Sequence, residues 1–172
     1  MRESELVILL TGAKFRSEAE FDIHVGEARR AGVGLDVILS IPRGVLLSAK
    51  ERKKEGQDEK DGAGRRAEFS LENVKKCMIP LLEKEHASLG SATDNESGGT
   101  HPSKERELAI VLFTAELLDT CTVSDETYEY TKRALGGQDS VLVEINAIVG
   151  YYSYVAFTLN VFKIPSSASP TK

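Results

Sequence analysis

Glu20 and His24 stand four residues apart in a segment with helical spacing, so both project from one face and their side chains can meet. A carboxylate beside an imidazole orients the ring and fixes its tautomer, which is what a general base requires. Glu5 lies on the preceding segment among the apolar positions Leu6, Leu9 and Leu10, and a helix hairpin would draw it into the same place. Glu5, Glu20 and His24 are therefore the candidate catalytic residues. The competing reading makes Glu20 and His24 an exposed helix pair contributing a few tenths of a kcal/mol. His86 and His101 have no periodic neighbours and are expected to be solvated. Cys77 and Cys121 lie 44 residues apart with no CxxC and no histidine at ligand spacing, so neither a disulfide framework nor a metal site is expected.

Helices must position these residues. Leu6, Leu9, Leu10 and Ala13 fall at i, i+3, i+4 and i+7. Ser17 with Glu20 three residues on is a capping box for a second helix, expected to run to about Ala31 and stop at Gly32. A short apolar segment, Leu35 to Ile41, ends at Pro42. Arg29-Arg30 suits a helix C-terminus by charge. These elements make up a first ordered half, about residues 1–49.

Lys50 to Arg66 has twelve charged residues and three glycines among its 17 and no large apolar one, so it reads as a disordered loop with Arg52-Lys53-Lys54 solvated within it. A short helix is expected over 70–82, with Ser70 as its cap. Ala87 to Ser103 is rich in Gly, Ser, Asn and Thr and again reads as disordered, so 50–103 forms a long insertion. The second ordered half, about 104–165, begins with Leu108, Val111, Leu112, Ala115 and Leu118 on one helix. Ser124 caps the next, Gly136-Gly137 ends it, and a last helix runs from about Ser140 to Val161. Tyr151, Tyr152 and Tyr154 on that helix are expected to pack in a helix interface with their hydroxyls at its rim. With no sustained period-2 alternation, the predicted fold is all-α: one domain over 1–172.

The 22 basic and 27 acidic residues give a net charge of −5, which excludes a basic nucleic-acid binder. The longest apolar run, Leu6 to Leu10, is far short of the roughly 20 residues of a membrane span. No signal-peptide pattern opens the chain. It reads as soluble and cytoplasmic, with no membrane partner.

The segment Glu5 to Ala13 echoes Glu107 to Ala115. Either two core helices share a pattern, or a helix hairpin is repeated.

The order Glu5-Leu6, Glu20-x-x-x-His24-x-x-x-Ala28-x-x-x-Gly32 resembles the AhpD-like/carboxymuconolactone decarboxylase superfamily. Glu107-Leu108-Ala109-Ile110, Phe113 to Leu118, Val123 to Thr127, Leu142 to Ile145, Gly150-Tyr151-Tyr152 and Leu159-Asn160 are similar to the second half of its decarboxylase-like branch, the fungal members especially. The likeness covers about 110 residues in two blocks. Family members carry further helices ahead of the Glu-Leu block. In the AhpD-like peroxidases the site is Cys-x-x-Cys-x-x-x-His behind a glutamate; here Ser17 and Glu20 stand at the cysteine positions, His24 at the histidine and Glu5 at the upstream glutamate. A serine and a glutamate cannot cycle between dithiol and disulfide, so that peroxidase chemistry is not expected.

The resemblance implies an AhpD-like helical bundle forming a homo-oligomer (dimer, trimer or hexamer). It also implies decarboxylation or isomerisation of a small organic acid or lactone, without metal or organic cofactor. His24 would be the general acid/base, Glu20 would orient it or share its proton, and Glu5 would be the second carboxylate. The apolar run Leu6 to Leu10 suggests burial between subunits. The alternatives are a non-catalytic oligomeric interaction module and, more weakly, a thiol-dependent antioxidant using Cys121 alone.

Overall fold

A computed structural model describes residues 1–44, 67–90 and 103–166, and among these every regular element is an α-helix. In chain order they are α1 Arg2–Lys14, α2 Glu18–Arg30, α3 Leu35–Ser40, α4 Leu71–Cys77, α5 Ile79–Gly90, α6 Lys104–Thr120, α7 Asp125–Ala134 and α8 Asp139–Val161. The all-α fold class holds. The charged stretch expected to be disordered, His101, and most of the Gly/Ser-rich stretch lie outside the described residues.

α1 is the centre of the molecule. Every residue from Glu5 to Ala13 is buried, because α2, α6 and α8 pack around it. A helix apolar on all sides is one surrounded by its own fold. Leu6 to Leu10 are thus covered within one chain and not, as expected, between subunits.

A tight turn at Phe15–Arg16 joins α1 to α2; Ser17 N–H donates to Gly12 O (3.0 Å) and Arg16 adopts a left-handed φ of 52°. The expected capping box does not form. Ser17 occupies the N-cap position, but its hydroxyl makes no cap bond and is buried, and Glu20 turns inward instead of reaching back. Gly32, at φ +90°, ends α2 as its spacing predicted.

The chain leaves this half at Gly44 and is back beside it at Ala67, where Gly44 N–H donates to Ala67 O (2.9 Å). The segment read as a short helix within an insertion belongs to the core. Val74, Met78 and Leu82 are fully buried, and α5 continues to Gly90, past Ala87 where disorder was expected. Apolar residues at 74, 78 and 82 keep one face inward through the break between α4 and α5.

α6 lies beside α1 in parallel register. Arg106 Nε and Nη2 reach Glu3 at 2.6 and 3.1 Å near one end, and Lys14 Nζ meets Asp119 Oδ1 at 3.5 Å near the other. Ser70 and Ser124 cap α4 and α7 as predicted, accepting from Asn73 N–H (3.1 Å) and Thr127 N–H (3.3 Å). α8 packs along α1 through Leu142, Ile145, Val149 and Ala156, with Phe157 edge-on to Phe15 (centroids 4.7 Å) and Asn160 Nδ2 donating to Phe15 O (2.8 Å).

Candidate functional site

Glu5 and His24 lie at nearly equal distances along the chain from the Phe15–Arg16 turn, so the antiparallel hairpin of α1 and α2 sets them side by side. His24 Nδ1 is 2.9 Å from Glu5 Oε2, both groups being largely buried. A carboxylate at Nδ1 places the proton on that nitrogen, leaving the Nε2 lone pair free. Nε2 makes no hydrogen bond to any described residue. The Tyr152 ring from α8 stands edge-on to the imidazole, with centroids 5.1 Å apart and planes at 89°, and fixes the ring's tilt from a third helix.

Glu20 does something else. It is 2% exposed, neither carboxyl oxygen has a hydrogen-bond partner, and burial pushes its pKa up to about 7. The partner expected to orient His24 is therefore Glu5 rather than Glu20. Four residues along a helix bring two side chains near each other, but α1 lies against this face and offers His24 the closer acid. Glu20 is near enough for its field to reach Tyr152, whose hydroxyl is held above its ordinary pKa by burial first and then by Glu5, Tyr151 and Glu20. The exposed-pair reading fails for both residues.

No family model, no curated protein and no solved structure matches this chain.

A second glutamate–histidine pair went unforeseen. His86 of α5 was expected in solvent, yet its Nε2 lies 2.8 Å from Glu107 Oε2 on α6, with Glu107 fully buried. The other oxygen of Glu107 accepts from Arg2 Nε at 2.5 Å. Arg2 also donates to Glu85 Oε1 (2.6 Å) and to Gly32 O, and Glu85 Oε2 accepts from Gly34 N–H (2.9 Å). The echo in sequence carried the signal, since Glu107 stands where Glu5 stands in the repeated pattern. The two pairs differ in what faces the acid: a guanidinium compensates Glu107, whereas among the described residues the Glu5 carboxylate meets only His24. Nor is the second a tandem copy, because Glu107 finds its histidine on the helix before it and Glu5 on the helix after.

Of the three tyrosines on α8, Tyr152 is partly buried, while Tyr151 and Tyr154 are exposed, contrary to the expected interface packing. Cys121 is exposed at the C-terminal end of α6 in a left-handed conformation (φ 60°), and Cys77 is partly buried; both are free thiols. Among the described residues no three His, Cys, Asp or Glu side chains come together as a metal site.

Proposed function

We propose that the Glu5–His24 pair performs cofactor-independent acid/base chemistry on a small organic acid or lactone, either decarboxylation or isomerisation. The observation that carries this is the 2.9 Å contact that fixes Nδ1 and leaves Nε2 unbonded. In an isomerisation, Nε2 takes the proton from the carbon α to the substrate carbonyl. The electron pair delocalises into the conjugated system as a dienolate, and the proton returns at the γ carbon. In a decarboxylation, Nε2 takes the proton of the substrate carboxyl group, the electron pair left by CO2 enters the same conjugated carbonyl, and the imidazolium so formed protonates the resulting dienolate and returns to the neutral ring. Glu5 holds the ring throughout. Glu20, with a pKa of about 7, supplies a carboxyl that can hold a proton near neutral pH. This is the chemistry implied by the likeness to the carboxymuconolactone decarboxylase branch, and the absence of cysteines at positions 17 and 20 points away from dithiol peroxidase work.

A panel of small unsaturated lactones bearing a carboxylate, followed by ultraviolet absorbance and CO2 release, tests the proposal. Turnover is expected to fall by about 10²–10⁴ in His24→Ala, and to fall in Glu5→Gln, while His86→Ala keeps kcat. Undiminished turnover in His24→Ala, or none with any lactone, ends the proposal.

A second reading has its own support. The His86–Glu107 pair shows that this fold uses a buried glutamate–histidine contact for structure, and a non-catalytic module would use Glu5–His24 in the same way.

A further inference from the structure

Ser17 at the start of α2, then Glu20 and His24, follow one another at i, i+3 and i+7 on the face of that helix turned to α1. Two of the three are unsatisfied. Ser17 Oγ and both oxygens of Glu20 have no hydrogen-bond partner, in residues 1% and 2% exposed. Gly12 of α1 lets the helices approach closely here, since a Cβ on it would lie 3.8 Å from Glu20 Cγ. The open nitrogen of His24 therefore shares its surroundings with two carboxyl groups, Glu5 across the hairpin and Glu20 one turn back along α2.

Buried acids in folds are matched by donors or cations, as Arg2 matches Glu107 in this chain. Among the described residues no cation does this at His24. Arg2 is held by Glu107 and Glu85, Lys14 by Asp119, Arg16 by Glu68 and Arg30 by Glu27. Arg29 is exposed in the last turn of α2. Arg43 lies over the Phe21 ring at 4.1 Å, with Nη1 3.5 Å from Glu18. α8 contributes only Asp139 and Glu144 as charged residues. It has the length and apolar composition of a membrane span, a property the apolar runs in the sequence did not suggest. After burial, the charges that act on the Tyr152 hydroxyl beside His24 are those of Glu5, Tyr151 and Glu20, every one an acid.

We infer that this site takes its substrate in uncharged form, and that Glu20 is the residue that turns a free carboxylate away. A carboxylate beside His24 would meet like charge where burial weakens the screening, so repulsion there is several times stronger than in water. An uncharged lactone of the same shape meets none of it. The inference rests on the reading of Glu5–His24 as an acid/base pair and narrows its substrates. They are neutral lactones, or organic acids that enter with the carboxyl group still protonated.

Two saturated, unreactive ligands test this on the full chain: γ-butyrolactone bearing a γ-carboxylate, and the same lactone bearing a γ-carboxamide. Binding is read from the imidazole nitrogen resonances of His24, assigned with His24→Gln, and His86 serves as the internal reference. At about pH 8 the carboxamide is expected to bind at least about 10-fold more tightly than the carboxylate. At about pH 6, where Glu20 mostly holds its proton, the carboxylate is expected to gain and the gap to narrow. In Glu20→Gln the narrow gap is expected at both pH values. Equal or tighter binding of the carboxylate at the higher pH overturns the inference, as does a His24 signal that neither ligand moves. A gap unchanged in Glu20→Gln overturns the role of Glu20. Because the ligands do not react, the two proposals fail separately. Selective binding with no turnover of any lactone would end the acid/base reading alone. Turnover with a lower KM for carboxylates than for their amides would end the selectivity alone.

Discussion

A carboxyl group 2% exposed, with both oxygens unbonded, favours its neutral form, and Glu20 is that group. Its pKa is about 7 in the fold against about 4.5 in an unfolded chain. Below pH 4.5 it is protonated in both states and costs nothing. As pH rises from 4.5 towards 7 the unfolded chain gains by ionising while the native group cannot follow. Stability is therefore lost across that window, by on the order of 3 kcal/mol, and the loss levels off above it. Glu20→Gln is expected to flatten this part of the curve of unfolding free energy against pH, measured in urea. An equally steep curve in the variant would place the titration elsewhere.

Among the elements, the two serine caps make a paired experiment. Ser124 Oγ accepts from Thr127 N–H, so Ser124→Ala is expected to cost about 1 kcal/mol. Ser17 has the better capping sequence, but its hydroxyl is buried without a partner; Ser17→Ala is expected to cost nothing or to stabilise slightly. Melting of both variants under one condition checks the contrast. It also shows what sequence could resolve. The helices from residue 104 onward were legible nearly to their ends because their caps, apolar spacing and terminal glycines agree. The α1–α2 hairpin was legible too, and with it the residues of the candidate site. The partner of His24 was not, because helical spacing sees neighbours on one helix and is blind to the acid a second helix brings closer. α5 was misread beyond Leu82 for a related reason: its last turns are polar in composition, and their anchor is His86 and Glu85 meeting charges about 20 and 80 residues away. The apolar periodicity of α1 hid that the whole helix is surrounded.

Over the whole molecule, Arg2 ties four parts of the chain together: α1, the turn after α2, α5 and α6. Glu107 is fully buried, so Arg2→Ala would leave a carboxylate compensated only by His86. A loss of about 3–5 kcal/mol in unfolding free energy is expected, read by denaturant titration. A loss below about 1 kcal/mol would mean that the network behaves as a surface one.

The placing of α1 at the centre also sets the order in which this chain can fold. Its closest packing partners include α8, more than 120 residues later, and α6, about 100 residues later. During synthesis Leu6 to Leu10 therefore emerge long before the surfaces that cover them. At about 5–20 residues per second the most apolar run in the protein waits many seconds for the last helix. The native contacts that bury it are among the most distant in sequence, which makes their formation slow. Until α6 and then α8 arrive, α1 and α2 are a hairpin with one covered face, the kind of exposed apolar surface that holding chaperones bind.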